Sequence, residues 1–169
     1  MSVLKQIFVS KLTESRSTDV DGVGSMRIED GKIYRFVQNK ETTVTLEKGN
    51  ACVHDLSDAV DMDKKVQSPV TADLSCLAGV VVATDGIPPL HYGWVQCYGA
   101  NDDVDVFASQ TTAKAAGISL KAVNAVTYLD TDTAVGTAPT LRRSVQLLEA
   151  VATVTTGAAT SAACFIHCI

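Results

Sequence analysis

One dipeptide, Asp30-Gly31, constrains the fold of this 169-residue chain more than any other sequence feature. It separates two short runs, residues 26–29 and 32–37, in which strand-forming side chains predominate. Asp-Gly between such runs is typical of a two-residue type I′ turn, which joins antiparallel strands. The turn predicts three chemically compatible pairs: Glu29 with Lys32, Ile28 with Ile33, and Arg27 with Tyr34. The sequence therefore predicts an antiparallel β-hairpin at this position.

Residues 77–99 predict a second strand–turn–strand unit. Pro88 and Pro89 cannot donate hydrogen bonds to a β-ladder, so they belong between two strands rather than inside one. In the strand that follows, alternation separates the side chains onto two faces. One face carries Tyr92, Trp94, Gln96 and Tyr98, and the other carries His91, Gly93, Val95 and Cys97.

The remaining segments extend this β pattern. Alternation predicts strands in residues 42–46, 104–107 and 118–128, with a loop or short helix over 55–65 and a polar loop over 130–139. Residues 141–154 fit either an amphipathic helix or a strand. The Thr-Gly-Ala-rich turn after them, followed by apolar residues 163–169, repeats the earlier layout and favours a strand. The expected fold is mostly β, an antiparallel β barrel or sandwich with little helix.

The first 24 residues differ from the rest of the chain. Residues 1–12 have strand composition, and residues 13–24 are a Ser-, Thr-, Asp- and Gly-rich connection. We therefore divide the chain into an arm with its connection, 1–24, and a single β domain, 25–169. A terminal strand with apolar residues on both faces tends to pair with another chain. The expected partner contacts are Val3, Leu4, Ile7 and Phe8, and the alternative is that this strand completes its own sheet.

Charge and composition exclude several functional classes. The formal net charge is -5 and the basic residues are scattered, which gives no electrostatic case for nucleic acid. No apolar stretch approaches the ~20 residues of a membrane span, and the start of the chain lacks the pattern of a secretory signal. The five cysteines are odd in number and have no paired spacing, so we expect reduced thiols in a reducing cytoplasm.

The sequence gives only weak evidence for metal-binding or catalytic residues. Cys164, His167 and Cys168 suggest zinc, but on a strand the two cysteines share one face and the histidine points to the other. His91 and Cys97 share a face but are separated by about 20 Å along an extended strand. Residues 101–105 have a faint similarity to a calcium-binding loop, but we expect them to be solvated carboxylates in a turn. The sequence predicts no catalytic residues, no metal and no cofactor.

The order of these motifs resembles that of the head-decoration, or cement, proteins of tailed bacteriophages. The hairpin with Asp-Gly at its tip, followed by Tyr34-Arg35-Phe36-Val37, is similar to the front half of such proteins. Ala78-Gly79-Val80, a turn, and then Tyr92-Gly93-Trp94-Val95-Gln96 look like their recurring central pattern. The closing strands that end in Phe165-Ile166 match in order, so the resemblance runs loosely over residues 25–169.

The resemblance implies a non-enzymatic virion protein, made in the host cytoplasm, that decorates and stabilises an icosahedral capsid from outside. Its implied partners are the major capsid protein and further copies of itself, with a homotrimer favoured. Two other classes stay open. One is a carbohydrate- or receptor-binding β domain that uses Tyr92, Trp94 and Tyr98 as a platform, and the other is an enzyme that uses the Cys and His residues.

Overall fold

Ten strands and no helix are found in the part of this computed structural model that is described, residues 7–57, 60–61, 63–70, 74, 76–131 and 144–169. Most strand pairings are antiparallel, so the mostly β fold is confirmed. Across the same residues, no helix is long and apolar enough to cross a membrane. The strands are β1 (Met26–Glu29), β2 (Lys32–Asn39), β3 (Ala51–His54), β4 (Lys65–Gln67), β5 (Leu77–Val81), β6 (Tyr92–Ala108), β7 (Ser119–Ala122), β8 (Leu129–Thr131), β9 (Ser144–Leu147) and β10 (Ala158–His167).

The predicted hairpin forms with the expected register. Glu29 faces Lys32, Ile28 faces Ile33, and Arg27 faces Tyr34. Asp30 and Gly31 have φ values of 51° and 75°, and a type I′ turn requires positive φ at both central residues. Local turn chemistry therefore fixes the pairing of β1 with β2.

The 17-residue strand β6 organises the rest of the sheet. Its first half pairs with β2 and β5, and its second half pairs with β10 and β8. Two closed rings of paired strands result, and both contain β6. The first ring runs β2–β4–β3–β5–β6, and the second runs β6–β10–β9–β7–β8. Each ring contains one parallel pairing, β2–β4 in the first and β6–β8 in the second.

Gly79 allows β5 and β6 to cross closely. A Cβ atom built on Gly79 would lie 2.3 Å from the backbone oxygen of Gln96, well inside any real contact distance. Its φ of 151° is also one that residues with side chains rarely adopt. The first ring closes at this point only because residue 79 lacks a side chain.

The described residues form three apolar clusters. The largest lies around the second ring and extends to β3 and β5, with Val53, Val104 and Ile166 among its members. A second cluster around Val37, Leu46 and Val95 belongs to the first ring. The third consists of Tyr34, Phe36 and Trp94, with Phe8 packed against it. Strands β2 and β6 link the clusters, because each of them carries buried side chains on both of its faces.

Several predicted elements need correction. Residues 42–46 form no strand; Leu46 makes an isolated bridge to Ile87, and the Val44 carbonyl accepts a hydrogen bond of 2.9 Å from the buried Asn39 side chain. Residues 7–12, the described part of the predicted first strand, also form none. Residues 101–105 lie inside β6 rather than in a turn, and β8 occupies the start of the predicted 130–139 loop.

The ambiguous segment after residue 140 is partly described. Residues 132–143 lie outside the described residues, and β9 covers Ser144–Leu147. This strand pairs with β10 and β7, so the choice of strand over helix holds for these four residues. The closing strand β10 begins at Ala158, earlier than the predicted 163–169, because part of the Thr-Gly-Ala-rich turn pairs with β6.

Candidate partner-binding surface

The N-terminal segment, defined here as residues 7–12, lies over the third apolar cluster. The Phe8 ring meets the Trp94 ring edge-on, with 5.1 Å between centroids. The Arg27 guanidinium lies over the Phe8 ring, 5.6 Å from its centroid, and over the Trp94 ring at 6.0 Å. Arg27 Nη1 also donates to the backbone oxygen of Ser10. Phe8 therefore packs on its own chain.

Hydrogen bonds fix this segment beyond the aromatic contact. Trp94 Nε1 donates to Ser10 Oγ over 2.9 Å. The Asp21 carboxylate accepts from the Ser10 hydroxyl and from the backbone N–H groups of Val9 and Ser10. Burial acts to raise the pKa of Asp21, but these hydrogen bonds and the nearby Arg27 charge outweigh it and lower that pKa below its usual value.

The outer side of the segment displays apolar side chains. Phe8 and Ser10 face the protein, whereas Ile7 is 86% exposed and Val9 is exposed as well. Exposed β-branched side chains on a fixed segment lose little conformational freedom on binding a partner. Of the four predicted partner-contact residues, Val3 and Leu4 lie outside the described residues, and contact of the four with another chain stays a prediction.

Strand β1 carries a second group of exposed apolar side chains and lies next to the N-terminal segment. Its side chains Met26 and Ile28 are exposed, Ile28 by 77%. The register of a two-residue hairpin directs the backbone N–H and C=O groups of these two residues away from β2. Within the described part of the chain, β1 pairs with β2 alone and forms the end of the sheet. Because Arg27 contacts both Phe8 and Ser10, β1 and the N-terminal segment are neighbours.

The suggested carbohydrate platform is not formed. Trp94 is 0% exposed, so its ring cannot stack on a sugar, and Tyr92 stacks on Phe36 instead. Tyr98 lies elsewhere, in edge contact with Phe165 and His167 on β10. This partly exposed aromatic group escaped sequence reasoning because it depends on the pairing of β6 with a strand about 60 residues later in the chain.

Two acidic residues of β6 make structural contacts. Asp103 pairs with Lys48 at 2.5 Å and accepts a 2.7 Å hydrogen bond from Ser161; the Lys48 contact is the main cause of its lowered pKa. Asp105 accepts from Asn50 at 2.8 Å, while burial raises its pKa. Among the described residues, no group of three or more His, Cys, Asp or Glu side chains is placed to hold a metal ion.

Burial favours the protonated form of three of the five thiols. Cys52, Cys97, Cys164 and Cys168 are buried, and Cys76 is partly exposed. Burial raises the pKa of Cys164 to about 12 and also raises the pKa of Cys52 and Cys97. His167 is exposed on the opposite face from Cys164 and Cys168, as strand alternation predicted. The raised pKa values leave little thiolate at Cys52, Cys97 and Cys164, so none of these three residues is suited to begin a reaction as a nucleophile.

A cleft of about 310 Å³ opens beside the β5–β6 crossing. Its polar lining includes Lys32, Lys48 and Gln96. The buried Gln96 amide donates to the backbone oxygens of residues 98, 99 and 100, and its own oxygen accepts from Asn101. The amide therefore bridges residues 98–101 of β6, and its hydrogen-bonding groups are directed to the chain rather than to the cleft.

Comparisons of this chain with protein-family models, with curated proteins and with solved structures found no match.

Proposed function

We propose that this protein is a non-enzymatic structural component of a phage virion that binds the outer surface of an icosahedral capsid and stabilises it. The motif order of the sequence supports the proposal, and so does the mostly β fold. The observation that carries it is the display of exposed apolar residues on two adjacent elements, the N-terminal segment and β1. Ile7 and Val9 are exposed on the segment, and Met26 and Ile28 are exposed on the face of β1 opposite Arg27.

Such a protein acts by adding contact free energy to weak subunit interfaces. Each copy contributes a small apolar contact, and the symmetry of the shell repeats that contact many times. The partners in this proposal are the major capsid protein and further copies of this chain, with a trimer favoured. No step of this function needs a catalytic residue, a metal or a cofactor.

Particles prepared with and without the protein test the proposal directly. Particles that lack it should assemble but should burst at lower temperature or under milder osmotic shock, and adding purified protein back should restore their resistance. Equal resistance of both kinds of particle would contradict the cement function.

Charge substitutions on the exposed residues identify the contact surface. The double variant Ile7→Asp, Val9→Asp should keep the fold, since both side chains are exposed, and should lose binding to particles in co-sedimentation. Val60→Asp is the matched control, because Val60 is 82% exposed on a loop outside both elements. Unchanged binding of the double variant, or an equal loss in the control, would remove the N-terminal segment from the contact surface.

A further inference from the structure

Cys97 and Cys168 are cross-strand neighbours at the end of the β6–β10 ladder. The ladder pairs Gly99 with Ile166 and Tyr98 with His167. One step further, the same register brings Cys97 opposite Cys168, and the backbone N–H of Cys168 donates to the Cys97 oxygen over 2.8 Å. The two cysteines are therefore held in place by the backbone itself.

The side chains of this pair also share one environment. Residues directly opposite each other on antiparallel strands point to the same face, with about 5.5 Å between Cα atoms at a hydrogen-bonded pair. A disulfide accommodates Cα separations of about 4.4–6.8 Å. Cys97 is 1% exposed and Cys168 is 3% exposed, and both belong to the largest apolar cluster.

We propose that Cys97 and Cys168 are a latent disulfide, reduced when the protein is made and joined when it meets a hydroperoxide oxidant. Cys168 loses its thiol proton, the thiolate attacks the peroxide, and the O–O bond breaks; the leaving hydroxide takes up a proton, so that sulfenic acid and water form. Cys97 sulfur then attacks the Cys168 sulfur, the S–O bond breaks, and a second water leaves. Two thiols and one hydrogen peroxide thus give one disulfide and two waters.

The position of Cys168 provides access for the oxidant. It lies beyond β10, which ends at His167. The final residue, Ile169, is half exposed. Local opening beyond the end of a strand costs less than global unfolding, so Cys168 is exposed before Cys97, which lies within the long strand β6.

The bond would enclose the whole second ring. Strands β7, β8, β9 and β10 and the second half of β6 all lie between residues 97 and 168. Oxidation would therefore fasten the last strand to the strand that both rings share, and the unfolded chain would lose the entropy of a long loop. Nothing in this chemistry depends on binding to a capsid.

The experiment uses the full chain, purified with reductant, desalted and treated with hydrogen peroxide. Proteolysis without reduction, followed by mass spectrometry, should reveal a Cys97–Cys168 cross-linked peptide lighter by two hydrogens than its reduced parts. The oxidised protein should melt about 5–10 °C higher than the reduced one, and dithiothreitol should reverse the gain.

Variants separate this bond from other thiol reactions. Cys168→Ser should abolish both the cross-link and the gain in melting temperature, whereas Cys76→Ser should keep both. Cys52 is the competing thiol, since Cys97 and Cys168 contribute electrostatically to its raised pKa. A dominant Cys52–Cys168 or intermolecular link, or two free thiols at positions 97 and 168 after oxidation of the folded protein, would overturn the proposal.

Discussion

The indole N–H of Trp94 donates a 2.9 Å hydrogen bond to the hydroxyl of Ser10, 84 residues earlier in the chain. The same hydroxyl donates to the Asp21 carboxylate, so one serine joins the buried tryptophan to the loop before β1. A segment that the sequence presents as a separate arm is thereby attached to the core at a specific atom.

Ser10→Ala should lower the free energy of unfolding by about 1–3 kcal/mol, because it leaves the buried indole N–H without an acceptor. Urea denaturation monitored by Trp94 fluorescence measures the change, since Trp94 is the only tryptophan. Ser17→Ala, on an exposed stretch of the same connection, is the matched control and should change little. Equal stability of the Ser10 variant and the wild type would show that the hydrogen bond contributes nothing.

The attachment of the N-terminal segment should weaken as the pH falls. Hydrogen bonds to Asp21 hold its folded pKa below the unfolded value, so its contribution to stability is present above the unfolded pKa and is lost as pH falls through the folded pKa. The thermal midpoint of the wild type should therefore fall more between about pH 5 and pH 3 than that of Asp21→Asn. Parallel pH profiles for the two proteins would contradict this assignment.

Gly79→Ala should destabilise the protein severely, by more than about 3 kcal/mol or to the point of insolubility, because its methyl group meets the Gln96 backbone oxygen. Gly31→Ala is the informative control. It also has positive φ, but nothing lies within 4 Å of its added Cβ, so the cost should stay near 1 kcal/mol. Chemical denaturation of both variants measures the two costs. At residue 79 the added methyl group causes backbone strain and a steric clash, whereas at residue 31 it causes backbone strain alone.

Thiol titration should find five free cysteines after unfolding without reductant when the protein is prepared under reducing conditions. In the native protein, Cys76 should react first with a thiol reagent, because the other four thiols are buried. Peptide mapping of the labelled protein at short times identifies the reacting residue. Three or fewer thiols in the unfolded protein, or first labelling at a buried position, would contradict this expectation.

Local chemistry made part of the fold predictable from the sequence. The Asp30-Gly31 turn encodes its own conformation and fixes the register of β1 and β2, so the pairing needs no distant information. The Pro88-Pro89 break and the alternation after it likewise located β5 and β6. Strand alternation also separated His167 from Cys164 and Cys168.

Distant contacts account for the failures. Residues 42–46 alternate like a strand, but the Asn39 side chain bonds the Val44 carbonyl, and ladder pairing is replaced by one bridge. Residues 101–105 have turn composition, yet they extend through β6 because Lys48 and Asn50 satisfy the carboxylates of Asp103 and Asp105. The inward side of the N-terminal segment was missed for the same reason, since Trp94 and Asp21 are its partners only in the folded chain.

The position of β6 in the chain predicts the order in which the two rings of strands form. Every other strand of the first ring precedes β6 in the chain, and every other strand of the second ring follows it. During synthesis, the first ring acquires all of its strands once residues up to about 98 have left the ribosome, while β7 to β10 have not yet been made. Ala51 and Val53 on β3 then remain uncovered until the later strands complete the largest apolar cluster. The order of the strands therefore predicts that the first ring folds before the second, and that a nascent chain stalled near residue 100 exposes Ala51 and Val53 to chaperones.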